Sequence, residues 1–475
     1  MTTLYRDAAA TALPLYQEAL APALAGGRLY EFSLSPFDRL GLPLWTVALI
    51  GADGALSDGF GYGATWDAAR TSAWGETVEW YGAREALKTR PRLHATFSDV
   101  RRQGRTAVDP AGLCLSADRP YVPDETILEW VEVHKFPTGD TAWLPIEFVA
   151  PRRADIGADV DPARLLAVPI TNGMGAGPTL AHAVAHGLLE LLQRDGNSVH
   201  YRALDCGIAV DLDDVRDPDT RDLLSFLDAQ GIQVIVKLAA TDFGLTNLYV
   251  VGHDRDPTRA PLPISLSACG EAVHPDREFA LAKALREFTM ARARKAFNHG
   301  PVSPVRAAAP LGYLESFQTA SLRSEDDRAL REMRGWTALS AGEFFEMIRH
   351  PVFDIRETVR FSDLPTTAAA SDEALLSLLT ERLAAEGLHL YYADFTPPEA
   401  AVHVVRVIVP GLEVETLTYG RLGARNTRRL RAMNSPILNG AGLDQAAVNA
   451  AMGRLYPLYR EPGRHVLGLL QERGE

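Results

Sequence analysis

Three glutamates in this sequence share one local pattern, and carboxylates repeated at the same helical position are candidate ligands for a divalent cation. In each pattern a glycine-bearing loop leads to a residue that favours a helix N-terminus, with alanine at the fourth position after it and glutamate at the eleventh. The patterns are residues 61–65 with Ala69 and Glu76, residues 175–179 with Ala183 and Glu190, and residues 270–276 with Ala280 and Glu287. Eleven residues span about three helical turns, so each glutamate lies on the same helix face as its cap. The pattern therefore predicts a cluster of oxygen ligands suited to Mg²⁺.

A second set of side chains lies one helical turn beyond these glutamates, on the same helix faces. These side chains are Glu79, Gln193 and Met290. The Met290 thioether is not a hard ligand, so this second layer is incomplete. Ser72 lies one turn before Glu76 and is a candidate to act beside it. A single capped helix with a buried alanine would be a common structural feature, whereas three copies in one chain favour a shared site.

Composition, charge and the absence of long apolar runs argue against several classes of protein. The chain has 475 residues, of which 47% are hydrophobic, and a formal net charge of −13, which gives no support for a nucleic-acid binder. The three cysteines, Cys114, Cys206 and Cys269, have no CxxC spacing, so a reducing cytoplasm is the expected compartment. No apolar run approaches the ~18 residues of a membrane span. The N-terminal segment lacks a basic region and is expected to be an ordinary helix rather than a signal peptide.

The elements that must position these glutamates follow from hydrophobic periodicity and helix caps. We predict helices over residues 3–24, 65–87, 179–195, 276–297, 340–348 and 371–386, and strands over 45–50, 126–133, 142–149, 165–170, 234–238, 248–252, 263–267, 388–392 and 402–409. Residues 299–311 contain three prolines and are predicted to be a linker. The predicted class is α+β, with helices against strands after glycine-rich turns. We expect a single protein with an N-terminal part (1–60), a core with the three motif helices (61–300) and a C-terminal part (301–475).

Residues 172–195, NGMGAGPTLAHAVAHGLLELLQRD, resemble the signature segment of the YcaO family. Other segments agree with that family in order. They are residues 33–43 (SLSPFDRLGLP), 72–79 (SAWGETVE), 284–292 (ALREFTMAR) and 404–413 (VVRVIVPGLE). The resemblance runs from about residue 28 to 425 and implies a YcaO-like fold, with ATP and Mg²⁺ as cofactors.

The resemblance also implies a reaction. Members of the family activate a peptide backbone amide by phosphorylating its oxygen after a nucleophile has attacked. A Cys, Ser or Thr side chain gives an azoline, sulfide gives a thioamide, and an amine gives an amidine. Such chemistry needs charge neutralisation around the phosphates, which carboxylate-bound Mg²⁺ and arginine supply.

Carried over by motif, the site residues have two roles. Glu76, Glu79, Glu190 and Glu287 would hold Mg²⁺. Ser72, Gln193, Arg194, Arg292 and Arg6 would contact nucleotide or phosphate, together with the four glutamates. The matching of Arg6 to a family position near the N-terminus is the least specific of these.

The sequence departs from the family pattern at several positions. Trp80 stands where the family usually has Arg, Gln193 where it has Glu, and Met290 where it has Gln. We expect nucleotide binding to be retained, and the alternative is a degenerate scaffold that binds a peptide or partner protein without ATP turnover. The sequence ends without the proline-rich tail of many azoline-forming members, so thioamide or amidine formation, or an accessory role, is favoured over azoline formation.

The resemblance also implies partners. These are a precursor peptide or protein as substrate, a leader-peptide-binding or sulfur-delivery protein, and a second copy of the chain in a homodimer. The basic stretch at residues 421–431 is expected to be a solvated helix face, with contact to nucleotide or an acidic peptide as the alternative.

Two other enzyme classes remain as alternatives. The GxGxG run at residues 173–177 resembles a dinucleotide-binding loop, but its spacing is not GxGxxG. His182, His186 and Glu190 form one helix stripe that would suit zinc, although HExxH is absent. Structural or metal-supporting roles are favoured for these histidines.

Overall fold

The computed structural model describes residues 3–115, 121–157, 160–161, 164–200, 207–317, 335–397 and 399–414, together with residues 425, 428, 429 and 432. The chain forms two compact units, each built from two segments. The first unit comprises residues 1–81 and 206–368, and the second comprises residues 82–205 and 369–475. The predicted division at residues 60 and 300 stays a prediction.

The first unit contains two sheets. A three-stranded antiparallel sheet has the order β1 (Arg28–Ser33), β2 (Leu44–Ile50), β3 (Leu56–Tyr62). A five-stranded sheet has the order β11 (Cys269–His274), β10 (Thr246–Asp254), β9 (Ile232–Ala240), β8 (Ile208–Asp211), β12 (Glu357–Arg360). Strand β12 runs parallel to β8, and the other neighbours are antiparallel. The helices of this unit are α1 (Thr3–Leu20), α2 (Trp66–Thr89, whose last residues belong to the second unit), α6 (Pro218–Ala229), α7 (Arg277–His299), α8 (Val302–Ala308), α9 (Tyr313–Ser316) and α10 (Ala341–Phe353).

Helix α7 lies between these two sheets because it is apolar on both sides. On one side Leu285 and Phe288 join a buried cluster with Val250 of β10. On the other side Met290 joins a second cluster with Phe32 of β1. Burying an apolar side chain of this size stabilises the fold by about 1.5–3 kcal/mol. The sequence of α7 thus fixes the position of Glu287 between two sheets.

The second unit contains one six-stranded sheet. Its order is β4 (Leu93–Ala95), β5 (Leu128–Lys135), β13 (Tyr391–Asp394), β14 (His403–Ile408), β7 (Met174–Gly177), and β6 (Thr141–Pro145) also pairs with β5. Its helices are α3 (Phe97–Arg102), α4 (Arg153–Ile156), α5 (Leu180–His200) and α11 (Asp372–Ala385). Helix α5 packs against β7 and β14, and α11 packs against α5.

The three glycine-bearing segments are strands rather than loops, which corrects the prediction. Gly61, Gly175 and Gly270 lie within β3, β7 and β11. A Cβ atom at these glycines would lie 1.9 Å from the Ala69 carbonyl oxygen, 2.1 Å from that of Ala183, and 2.0 Å from that of Ala284, respectively. Glycine is therefore required because the helix backbone lies directly against the strand.

The two strands predicted just before the second and third of these segments are also wrong. Residues 165–170 form no strand, and Pro263–Ser267 is a 3₁₀ helix. Because glycine is depleted in strands, the local sequence pattern favours the neighbouring apolar runs over the glycine-bearing strands themselves. The predicted linker at 299–311 also contains the short helix α8.

Most other predicted elements are confirmed within a few residues. The three motif helices are α2, α5 and α7, and residues 234–238 and 248–252 lie in β9 and β10, where Val236 pairs with Val250. The α+β class is therefore confirmed. Among the described residues, no helix combines the length and the apolar character that crossing a membrane requires.

Candidate functional site

The three predicted caps hold the N-termini of the motif helices. Thr65 Oγ1 accepts a hydrogen bond from Ala68 N at 3.2 Å, Thr179 Oγ1 accepts from His182 N at 3.1 Å, and Asp276 Oδ1 accepts from Glu278 N at 2.9 Å. The alanines at the fourth position, Ala69, Ala183 and Ala280, have no exposed surface. The first part of the pattern therefore positions each helix against its strand.

Each of the three glutamates accepts a hydrogen bond from the backbone beside it, in or next to the strand that precedes its own helix. Glu76 Oε2 accepts from Phe60 N at 2.7 Å, Glu190 Oε2 from Gly173 N at 2.8 Å, and Glu287 Oε2 from Glu271 N at 3.1 Å. Strands β3, β7 and β11 are each at the edge of their described sheet. Each carboxylate is thus held at a sheet edge by a charge-assisted hydrogen bond, while its side chain stays partly exposed.

In the first unit, the charges of Glu76 and Glu287 both raise the pKa of the Tyr62 phenol. The Tyr62 hydroxyl donates to Glu287 Oε2 at 3.4 Å. Burial, then the charge and hydrogen bond of Glu287 and the charge of Glu76, raise the pKa of Tyr62 well above its ordinary value. Both carboxylates therefore lie within electrostatic reach of Tyr62, which the sequence reasoning missed because no local pattern marks it.

The second layer of side chains differs between the helices of this unit. Glu79 lies on α2 near Tyr16, whose pKa is raised by burial and by the Glu79 charge. On α7 the equivalent residue, Met290, is 4% exposed and lies in an apolar cluster with Phe32 and Phe37. The α7 side of the second layer thus offers no oxygen ligand at this position.

Arg292 lies inside the first unit and is engaged with two carboxylates. Its Nε donates to Asp38 Oδ2 at 2.7 Å and its Nη1 to Asp254 Oδ2 at 2.9 Å, and the Arg292 side chain is 0% exposed. This burial does not support the predicted phosphate contact, which stays a prediction.

Ser72, on α2, is exposed. Arg6 lies in α1, and its side chain lies outside the part of the chain that is described.

In the second unit, Glu190 lies beside Arg194 one turn later on α5. The Arg194 Nη2 to Glu190 Oε1 distance is 3.7 Å, and the two side chains are 24% and 28% exposed. Gln193 is buried at 5% exposure. The unit therefore presents a carboxylate and a guanidinium side by side on one helix.

Asp195, which follows Arg194 on α5, is fully buried. Its carboxylate accepts hydrogen bonds from residues near the end of the described chain. Its Oδ1 accepts from Glu413 N at 2.9 Å and its Oδ2 from Arg429 Nη2 at 2.7 Å. Arg425 pairs with the same carboxylate at 3.2 Å. Within the basic stretch at 421–431, these two described arginines thus bind Asp195 rather than form a solvated face, which corrects that expectation for them. The other arginines of the stretch are Arg421 and Arg431, which lie outside the described residues, and Arg428, which is exposed.

The two histidines that suggested a zinc site, His182 and His186, have different surroundings. His182 Nδ1 lies 2.9 Å from Asp372 Oδ2 of α11, and this bond lowers the Asp372 pKa. His186 is exposed on α5. Among the described residues, no three His, Cys, Asp or Glu side chains already converge as a metal-binding group.

Comparisons with known proteins extend over most of the chain. A family model described as YcaO cyclodehydratase, ATP- and Mg²⁺-binding, matches residues 60–413. An uncharacterized protein of Methanothermobacter thermautotrophicus is 27% identical over 399 residues, which cover 82% of this chain and 91% of the relative.

Two solved structures share the fold. The structure of YcaO from Methanopyrus kandleri bound with AMPPCP and Mg²⁺ has a TM-score of 0.60 and 20% identity, over 87% of this chain and 94% of that chain. A heterocyclase in complex with substrate and cofactor has a TM-score of 0.64 and 18% identity, over 90% of this chain. This chain spans 55% of the length of that heterocyclase. At these identities the likeness concerns the fold. Because the family model covers most of the chain, including all three candidate glutamates, this protein belongs to the YcaO family.

Proposed function

We propose that this protein is an enzyme that uses ATP and Mg²⁺ to activate a backbone amide of a ribosomally made peptide or a protein. The observation that carries the proposal is the repeated geometry of Glu76, Glu190 and Glu287, each held through one oxygen by the backbone at a sheet edge. Membership of a family described as ATP- and Mg²⁺-binding supports a cation-binding role for these carboxylates.

The residues present fit Mg²⁺. This cation prefers carboxylate oxygens, and in nucleotide sites it is held by one or two carboxylates together with phosphate oxygens and water. A preformed cage of protein ligands is therefore not required. We assign Glu76, Glu79 and Glu287 of the first unit to cation binding, and likewise Glu190 of the second. Ser72 in the first unit and Arg194 in the second are assigned to phosphate contacts.

When bound, ATP supplies the phosphoryl group and Mg²⁺ neutralises charge on the phosphates. The nucleophile forms a bond to the amide carbon and loses a proton. With ATP bound, the γ-phosphoryl group would pass to the amide oxygen with release of ADP, and the bond between carbon and that oxygen would then break with release of inorganic phosphate. The task of this chain's own residues is to hold the carboxylates and Arg194 in fixed orientations, because positioning and charge complementarity supply most of the catalysis in phosphoryl transfer.

The nucleophile and partners complete the proposal. We favour sulfide or an amine, giving a thioamide or amidine, or an accessory role, over an internal side chain giving an azoline. A leader-peptide-binding or sulfur-delivery protein is the proposed partner, and a homodimer the proposed assembly. The cytoplasm is the proposed compartment.

A second candidate function is a scaffold that binds a peptide or partner protein without ATP turnover. Two observations favour it, namely the apolar surroundings of Met290 and the burial of Arg292. ATP turnover separates the two functions, because a scaffold has none.

Calorimetry with ATP and MgCl₂ tests the proposal. We expect saturable, Mg²⁺-dependent ATP binding by the wild-type chain and a loss of about tenfold or more in Glu190→Gln, since one charged ligand is removed while the acceptor for Gly173 N–H remains. Glu85→Gln is the matched control, because Glu85 pairs with Lys88 in the same unit. Absence of ATP binding by the wild-type chain would leave only the scaffold.

A further inference from the structure

Strand β3 lies between the two helices that carry Glu76 and Glu287. On one face of the strand, a Cβ at Gly59 would lie 2.0 Å from the Ala73 carbonyl oxygen of α2. On the opposite face, the Phe60 ring lies 6.2 Å from that of Phe297 of α7. Alternation along a strand places Tyr62 on the same face as Phe60, and its contact with Glu287 of α7 agrees with this.

The same strand acts on both carboxylates. The Phe60 N–H donates to Glu76 Oε2 at 2.7 Å, and the Tyr62 hydroxyl donates to Glu287 Oε2 at 3.4 Å. Glu271 N also donates to Glu287 Oε2, at 3.1 Å. Two donors on one oxygen limit rotation of the Glu287 carboxylate.

The Tyr62 bond is a weak one. Its length of 3.4 Å exceeds the usual range for O–H···O bonds, so its contribution to affinity is modest and measurable. The bond still matters for the orientation of Glu287, because Met290, one turn beyond Glu287, carries no oxygen and lies in an apolar cluster. The phenol is thus a polar side chain on the α7 side that fixes Glu287.

We propose that Tyr62 is a positioning residue for the cation site, in which its hydroxyl orients Glu287 and so sets the affinity for Mg²⁺. The inference rests on the proposed function, since it assumes that Glu287 binds the cation. The ring of Tyr62 also packs against the apolar cluster around Met290, and phenylalanine would keep that packing.

The test is the Mg²⁺ dependence of ATP binding, measured by calorimetry, in Tyr62→Phe and in a matched control. Tyr30→Phe is the control because Tyr30 packs against the same cluster and donates or accepts a 2.6 Å bond with Ser316, away from the glutamates. In Tyr62→Phe we expect the Mg²⁺ concentration for half-maximal ATP binding to rise about two- to threefold, the low end of the worth of one hydrogen bond, because this bond is long. Excess Mg²⁺ should restore binding, and Tyr30→Phe should match the wild type.

Three results would overturn the inference, and they separate it from the proposed function. Tyr62→Phe with wild-type Mg²⁺ dependence refutes the inference and leaves the function standing. Equal shifts in Tyr62→Phe and Tyr30→Phe show a general packing effect and refute it as well. A wild-type chain that does not bind ATP with Mg²⁺ refutes the function first, and the inference with it.

Discussion

Arg292 of α7 and Asp38 form an ion pair, Nε to Oδ2, of 2.7 Å, in which the side chains are 0% and 2% exposed. Asp254 lies 2.9 Å from Nη1, and the Arg39 guanidinium also contacts Asp254, at 2.7 Å, and Asp38, at 3.8 Å. A family motif that suggested a phosphate contact therefore falls on a residue that two carboxylates already neutralise in the interior.

The first prediction follows from this burial. Arg292→Met leaves Asp38 and Asp254 buried with Arg39 as their remaining cation, and we expect the free energy of unfolding to fall by about 3 kcal/mol, the lower end for a broken buried ion pair. Arg360→Ala removes an exposed pair with Asp363 and should leave the stability close to that of the wild type. Urea unfolding measures both. If Arg292→Met keeps its stability and loses ATP binding, Arg292 contacts nucleotide instead.

The second prediction concerns Glu287. In Glu287→Gln the amide oxygen can still accept from Glu271 N and Tyr62, so the fold should hold while Mg²⁺-dependent ATP binding falls about tenfold or more. Calorimetry measures the binding and thermal unfolding checks the fold. Glu278→Gln, on the same helix, is the control. Glu278 accepts from the Arg216 N–H through Oε1 and from the Asp217 N–H through Oε2, so glutamine keeps one of these two bonds. Some loss of stability is therefore expected in this control, while its ATP binding should remain. Equal losses in both variants would argue against a specific role for Glu287.

The third prediction concerns close approach of helix and strand. Gly175→Ala places a Cβ 2.1 Å from the Ala183 carbonyl oxygen, so backbone must shift, and we expect a loss of about 1–3 kcal/mol or more. Gly342→Ala meets nothing within 4 Å and lies in α10, where it should be neutral or stabilising by less than about 1 kcal/mol. Denaturant midpoints compare the two. Similar midpoints would mean that the strand and helix can separate easily.

The fourth prediction is a pH effect at His274, at the end of β11. Burial lowers its pKa to about 4, and Nδ1 accepts a bond from Asp276 N, so the neutral ring is the folded form. The unfolded chain binds a proton at about pH 6.5, before the folded chain does, so stability is lost as the pH falls from about 6.5 toward about 4.

His274→Gln lacks that titration, so its stability should change less over the same interval. Urea unfolding at pH 7, 5.5 and 4.5 measures the difference. If the free energy of unfolding falls equally in the two proteins as the pH is lowered, the acid sensitivity comes from other groups.

The features of the fold that depend on residues close together in the sequence were predictable from local patterns. Caps and apolar periodicity located α2, α5 and α7, and the spacing to Glu76, Glu190 and Glu287 placed each carboxylate on its helix. The three true edge strands were hidden, because the glycines that let helices approach also remove the usual strand signal.

Contacts between distant parts of the chain were beyond sequence reasoning. Tyr62 meets Glu287 across 225 positions, and Arg292 meets Asp38 across 254. The pairing of His182 with Asp372 spans 190 positions. Residue type and spacing cannot reveal such partners, since the fold alone brings them together.

The placement of three carboxylates at sheet edges bears on solubility as well as on catalysis. An edge strand with unpaired N–H groups is a template for adding a strand from another molecule. Glu76, Glu190 and Glu287 each occupy an N–H in or beside β3, β7 or β11 and bring negative charge to the edge. We therefore expect the residues proposed to hold the cation also to disfavour pairing of these edges with another molecule. Replacing one of them with alanine should thus promote aggregation, whereas glutamine, which keeps the acceptor, should do so less.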